Sequence, residues 1–222
     1  MNFKNINGLD TQDMKSQIAS LYSQIEESIK ILDIFFSSDN RYKNIIKDYN
    51  NILIIGMGGS AIGGDFAAKY SVKEAKIPIH ILRDYHIPKW VDSRTFVIAS
   101  SYSGDTEETL TAYMECLSLK CNSIVMSTGG ELSEIANNNN IGLIQIPKGY
   151  QPRAAIGYSL SMILLIFEEL GLIEAISSDL IDTYNNKLGS LRKNKCLKIA
   201  KKIHGKFPII YSGGDFMKIL AI

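Results

Sequence analysis

Five hydroxyl side chains, Ser100, Ser101, Ser103, Thr106 and Thr109, crowd around Gly104 in the stretch SSYSGDTEET. The stretch follows the apolar run TFVIA and precedes LTAYMECLSL, whose spacing is helical. The hydroxyls therefore fall where a strand hands over to a helix. Ser101, Ser103 and Thr106 would bring hydroxyl donors together with the free backbone N–H groups of a first helical turn, a combination that holds an anion such as phosphate. A plain N-cap by Ser103 or Asp105 is worth about 0.5–2 kcal/mol, but a cap requires one hydroxyl and several lie here. Glu107 and Glu108 suit the first turn of any helix.

A second turn of similar kind is IIGMGGSAIGGD, in which Gly56, Gly58, Gly59 and Ser60 follow a strand and open a helix. Glycines let backbone N–H groups turn toward a ligand with no Cβ in the way, and a helix N-terminus favours negative charge. Gly56-x-Gly58-x-x-Ala61 also fits the looser dinucleotide fingerprint, although Arg83-Asp84 places the expected acid only approximately. No Gly-Lys-Ser/Thr follows, so a Walker A loop is excluded. A tight turn without ligand is the remaining alternative. Two further elements repeat the theme: STGGEL at 127–132, and QPRAAIGYS, where Arg153 opens an apolar helix. Arg153 is either a surface charge or a bidentate donor to an oxyanion.

These residues need a scaffold, and the hydropathy pattern supplies one. Runs rich in Ile and Val occur at 51–56, 77–82, 95–100, 122–127 and 142–147, with helical spacing between most of them, at about 60–70, 105–119 and 131–138. Continuous apolar strands alternating with helices predict a doubly wound α/β fold, a parallel sheet covered on both faces. Ahead of it, residues 1–40 form an N-terminal helical segment with Met14, Ile18, Leu21, Ile25, Ile29, Leu32 and Phe36 on one apolar stripe. The α/β domain covers 41–150. Residues 151–205 complete it and lead onward: one helix runs from Pro152 to Gly171, and a second from about Ser178 to His204 buries Leu180, Ile181, Leu188, Leu191, Leu197 and Ile203. Residues 206–222, with KFPIIYSGGD, read as a new strand and the start of a second α/β domain, cut short. The NNNN tract at 137–140 closes a helix.

Composition narrows the partners. Lys plus Arg number 24 against 23 Asp plus Glu, a net charge of +1 over 222 residues. That balance argues against nucleic acid or an anionic membrane as partner, so anion chemistry must come from local geometry. Cys116, Cys121 and Cys196 are odd in number and lack any metal-ligand spacing. The N-terminus has no signal-peptide core, and the longest apolar run, MILLIF, is too short to span a bilayer; a reducing cytoplasm is the expected setting. Of the histidines, His80 is expected in the core, His86 in a loop and His204 near a helix end.

Taken in order, GMGGSAIGGD, SYSGDTEETL, STGGEL and QPRAAIGYS resemble the sugar isomerase (SIS) domain, and more narrowly the bifunctional phosphoglucose/phosphomannose isomerase family. The resemblance covers the chain from about residue 50. It implies a flavodoxin-like SIS domain, two such domains per subunit, and a homodimer. It also implies interconversion of glucose 6-phosphate or mannose 6-phosphate with fructose 6-phosphate through an enediolate, with no metal or other cofactor. Carried over, Gly58, Gly59 and Ser60 would line the sugar side of the pocket. Ser101, Ser103 and Thr106 would bind the substrate phosphate, and Arg153 would stabilise the enediolate. The family's usual asparagine is Asp105 here, which should face the helix or solvent to avoid the phosphate. The glutamate and histidine that move protons in the family come from the second SIS domain, and no residue here matches them, so this chain by itself should bind substrate and isomerise poorly. Two other readings share the motifs: a non-catalytic SIS sensor of phosphosugars, and a nucleotide-dependent oxidoreductase resting on the glycine fingerprint.

Overall fold

The five apolar runs become strands of one parallel sheet, because each is long enough for a β-strand and too apolar to leave either face in water. In the computed structural model, which describes residues 8, 10–38, 49–185 and 193–212, these are β1 (Asn51–Ile55), β2 (Ile79–Leu82), β3 (Thr95–Ser101), β4 (Asn122–Ser127) and β5 (Gly142–Gln145). Their spatial order is β2-β1-β3-β4-β5, all parallel. Register aligns Ile54 with Ile81 on one side and Ile98 on the other, and sets Ser101 beside Ser127 at the sheet's C-terminal edge. β3 is central, and all seven of its residues are buried.

The described helices are α1 (Met14–Ala19), α2 (Leu21–Ser38), α3 (Gly58–Ser71), α4 (Glu107–Ser118), α5 (Gly130–Asn138), α6 (Ile156–Glu169), α7 (Ser177–Asn185) and α8 (Lys193–Ile203). Alternate strand residues feed two cores. Ile52, Ile54, Phe96, Ile98, Ile124 and Met126 pack under Leu32 and Phe35 of α2, Ala67 of α3 and the apolar side of α6. Leu53, Ile55, Val97, Ala99 and Val125 pack on the other face, under Tyr113 of α4 and Leu132 of α5. The helix after β1 thus crosses one face and the helix after β3 the other. This is the doubly wound, flavodoxin-like arrangement of an SIS domain, and the gap between the ends of β1 and β3 is its topological switch point. Asn139 ends α5 and Asn140 takes a left-handed φ of 54°, so the asparagine tract does close a helix.

Several local expectations are corrected. The N-terminal stripe is two helices, parted at Ser20, whose N–H bonds back to Ser16 and Gln17. Ile29, Leu32 and Phe36 of the stripe pack on the core, but Ile18 and Leu21 are exposed, and the buried residues of α2 are Gln24, Ser28, Leu32 and Phe35. His80 is exposed rather than in the core, because β2 is an edge strand; its ring meets Trp90 edge-on with centroids 5.6 Å apart. Of the helix expected from Ser178 to His204, the described residues are helical in α7 and α8, and 186–192 lie outside them. Leu180 packs on the core, but Leu197 and Ile203 are exposed, since α8 is not backed by the sheet. Leu188 and Leu191 lie outside the described residues, as does the Ile181 side chain. Residues 207–212 form no strand, and Phe207 and Tyr211 are exposed, since this segment does not join the sheet. Residues 213–222 lie outside the described part. Among the described residues no helix is long and apolar enough to cross a membrane.

Candidate functional site

At the switch point the β1–α3 turn is shaped by atoms that are missing. A Cβ on Gly56 would stand 2.8 Å from the Ser100 carbonyl oxygen, and one on Gly59 would stand 2.7 Å from that of Pro152. Gly58 takes a positive φ of 50°, which starts α3 abruptly. Gly58, Gly59 and Ser60 are therefore the first turn of the helix itself. The N-cap residue, Met57, offers no side-chain cap.

The β3–α4 turn is shaped by hydrogen bonds. Ser101, almost fully buried, accepts from Gly104 N–H at 3.1 Å, and its Oγ lies 2.9 Å from Thr106 Oγ1. Ser103 is exposed and accepts from Asp105 N–H at 3.2 Å. Gly104 has φ 85°, and a Cβ there would sit 1.8 Å from the Gly129 carbonyl oxygen, so this turn is pressed against the β4–α5 turn. Leu132 N–H bonds the Gly104 carbonyl and Thr128 N–H that of Tyr102. Thr106 is the N-cap of α4 but makes no side-chain cap bond, which leaves the first-turn N–H groups without a side-chain acceptor.

Asp105 turns away from this end. Its Oδ1 accepts from Glu131 N–H at 2.9 Å, so the carboxylate caps α5 and meets the positive end of that helix dipole. The expectation that it faces a helix holds, with the detail that the helix is the next one. The contrast is informative: α5 is capped, whereas α3 and α4, which open toward the crevice, are not.

Arg153 reaches the site through its backbone. The turn Pro152–Ala155 precedes α6, and a Cβ on Gly59 would be 3.8 Å from Arg153 Cα. Its side chain is exposed, and it makes no ion pair among the described residues. The segment leading into it is tied to the β3–α4 turn by Tyr102, whose hydroxyl donates to the Pro147 carbonyl at 3.0 Å and accepts from Tyr150 N–H at 2.9 Å. All seven predicted site residues thus fall on three turns that meet at the C-terminal edge of the sheet. Ser101 stands apart from Ser103 and Thr106, being inside the turn rather than on its surface.

Two polar residues escaped the sequence reading. Tyr102 sits within the quoted stretch, but nothing in its type marks it as a link between turns. Lys148 extends its Nζ to 3.4 Å from where a Cβ on Gly129 would be, adding a cation at the same edge. Arg83 pairs with Asp65, and Asp84 accepts from Tyr85 N–H at 2.7 Å, so the acid near the end of β2 closes its own turn. His86 is engaged with Glu115, Nδ1 to Oε1 2.7 Å, two turns along α4 from Thr106. That hydrogen bond and the Glu115 charge hold its imidazole above the ordinary value. In the α6 wall, burial and then the hydrogen bond to Glu27 push the Tyr158 phenol up, so it remains a donor and pins α6 to α2.

No protein-family model matches the sequence. The chain is 40% identical over 185 residues to a bifunctional phosphoglucose/phosphomannose isomerase of Caldicellulosiruptor bescii, covering 79% of this chain and 54% of that protein. It is 34% identical over 192 residues to the protein of the same name from Aquifex aeolicus, covering 85% and 58% respectively. The chain thus spans little more than half the length of these curated relatives. Among solved structures, the C-terminal domain of glucosamine-fructose-6-phosphate aminotransferase from Francisella tularensis matches with a TM-score of 0.65 at 19% identity, over 87% of this chain and 60% of that one, a likeness of fold. With that sequence identity across four-fifths of its length, and with the SIS fold and its three converging turns in place, the chain is a relative of the bifunctional phosphoglucose/phosphomannose isomerases over the part of them that it spans.

Proposed function

We propose that the chain serves an aldose–ketose isomerase that interconverts glucose 6-phosphate or mannose 6-phosphate with fructose 6-phosphate. The observation that carries the reading is the convergence of two helix N-termini that lack a side-chain cap and the exposed Arg153 turn at one switch point. The phosphate sits at the α4 end, where the first-turn N–H groups, Ser103 and Thr106 donate to it and the helix dipole favours its charge. Ser101 holds Gly104 and Thr106 in place from inside. The sugar lies toward Gly58, Gly59 and Ser60. Charge that develops on the C1 and C2 oxygens in the enediolate meets Arg153, a cation with no ion pair among the described residues.

Proton transfer between C1 and C2 needs a base, and none of the chain's histidines is assigned to it: His80 meets Trp90 edge-on, His86 is bound to Glu115, and His204 follows α8. In this reading the working protein is a cytoplasmic homodimer of carbohydrate metabolism, acting where glycolysis and gluconeogenesis share hexose phosphates.

Conversion of glucose 6-phosphate and mannose 6-phosphate to fructose 6-phosphate by the gene's full product tests the proposal. Arg153→Ala should lower kcat far more than it raises KM, the signature of an interaction made in the transition state. Absence of conversion of either hexose phosphate overturns it.

A further inference from the structure

The helix that precedes the α/β domain carries a buried amide where its pattern calls for an apolar side chain. Gln24 is fully buried on α2, and burying an amide is costly unless its hydrogen bonds are supplied. Its Nε2 donates at 2.7 Å to the carbonyl of Ala154, 130 residues away, and more weakly to Ser20 Oγ at 3.2 Å and Gln17 O at 3.4 Å. One helical turn and more before it, Gln17 Oε1 accepts from Gln151 N–H at 2.7 Å. The two bonds bracket Arg153, one two residues before it and the other one residue after it. Room for Gln24 is made by Gly157, where a Cβ would lie 2.6 Å from Gln24 Oε1.

The Arg153 turn is therefore held on both sides. Gly59 receives the Pro152 carbonyl and the Arg153 backbone in front, and two glutamines of α1 and α2 hold the turn from behind. Gln24 also makes the weaker bonds to Gln17 and Ser20 at the α1–α2 junction, but the shorter, long-range bond of each glutamine goes to the backbone of this one turn. We infer that Gln17 and Gln24 are positioning residues that set where the Arg153 guanidinium meets the enediolate. The inference rests on the isomerase reading and on Arg153's place in it. Its physical basis is that a misplacement of about 1 Å at a reacting centre can cost on the order of 10²-fold, while the phosphate turn, built from Ser101, Gly104 and Thr106, makes no hydrogen bond to either glutamine.

The test compares two probes by calorimetry on the full chain: inorganic phosphate, and 5-phospho-D-arabinonate, whose planar carboxylate places negative charge where the enediolate oxygens would be. The parent should bind the arabinonate more tightly than phosphate, and Arg153→Ala should abolish that preference. Gln17→Ala and Gln24→Met should each weaken the arabinonate about tenfold and leave phosphate within about twofold, a smaller loss than the on-the-order-of-10²-fold limit for a displaced group. Gln17→Glu, which retains an acceptor for Gln151 N–H, should keep the parent's affinity. If Gln24→Met fails to fold, the Gln17→Ala and Gln17→Glu pair decides. Parent-like arabinonate binding in Gln17→Ala, or an equal loss for both probes, overturns the positioning role while Arg153→Ala still supports the isomerase reading. A parent with no preference for the arabinonate, or one that Arg153→Ala leaves intact, overturns both.

Discussion

The two turns that face each other across the switch point are built by opposite means. At Gly56–Ser60 the backbone comes close to its neighbours because side-chain atoms are missing, with Ser100 and Pro152 carbonyls filling the places where Cβ atoms would be. At Ser101–Thr106 the turn is closed by side-chain oxygens, with Ser101 inside holding Gly104 and Thr106. A turn made by absence is vulnerable to added bulk, whereas a turn made by hydrogen bonds is vulnerable to removed oxygen. Gly104 combines both dependences, since it needs a left-handed backbone and also abuts Gly129.

Gly104→Ala should therefore have the largest effect. It meets a left-handed conformation that costs a non-glycine residue about 1–2 kcal/mol, with an overpacking cost of about 1–3 kcal/mol on top. Urea denaturation should register the loss, and calorimetry should find phosphate binding abolished. Gly59→Ala comes next, at about 1–3 kcal/mol for the clash with Pro152. Because the strain falls on the Arg153 turn, phosphate affinity should persist while binding of 5-phospho-D-arabinonate falls, separating the two turns by ligand.

Removing oxygen inverts the pattern. Ser101→Ala leaves a buried Gly104 N–H without its acceptor, a loss of about 1–3 kcal/mol, and should weaken phosphate through the loosened turn. Ser103→Ala, at an exposed position, should stay within about 0.5 kcal/mol of the parent in stability yet weaken phosphate directly. Asp105→Asn keeps an acceptor for Glu131 N–H but removes the charge at the α5 dipole, costing about 0.3–1 kcal/mol. Phosphate affinity should rise as like-charge repulsion disappears.

The smallest effect lies off both turns, at His86 and Glu115. The Glu115 hydrogen bond and charge raise the imidazole above its ordinary 6.5, so its contribution to stability is present below that value and lost as pH climbs through the raised one. The same bond, and then the Ile87 amide, lower the Glu115 carboxyl from 4.5, so its contribution is present above that value and lost as pH falls. His86→Ala should thus lower Tm slightly between pH 4.5 and 6.5. The two melting curves should converge at alkaline pH, with phosphate binding unchanged throughout.

Much of this was legible in the residues. Alternating apolar runs and helical spacing imply a parallel sheet with covered faces, and glycine and hydroxyl clusters after strands mark the site edge, because both rules act over a few neighbouring residues. The N-terminal stripe held in part: Ile29, Leu32 and Phe36 pack on the core, whereas Gln24 and Ser28 share the buried side of α2 and Ile18 and Leu21, around the break at Ser20, face out. His80 and the exposed face of α8 failed for a longer-range reason, since burial depends on which element ends up at an edge or off the sheet, a matter of topology rather than composition.

What the sequence determined by itself is the class of fold, the identity of the turns and the chemistry their residues can offer. Those properties follow from local periodicity, from glycine's conformational freedom and from the donor inventory of each side chain. Only the tertiary structure decided that Ser101 serves inside the turn, bonded to a half-buried Thr106, while Ser103 faces out, that Asp105 caps the neighbouring helix, and that Gln17 and Gln24 grip the Arg153 turn from 130 and more positions away. Such pairings depend on strand order and helix phase, so no single segment contains the information that sets them.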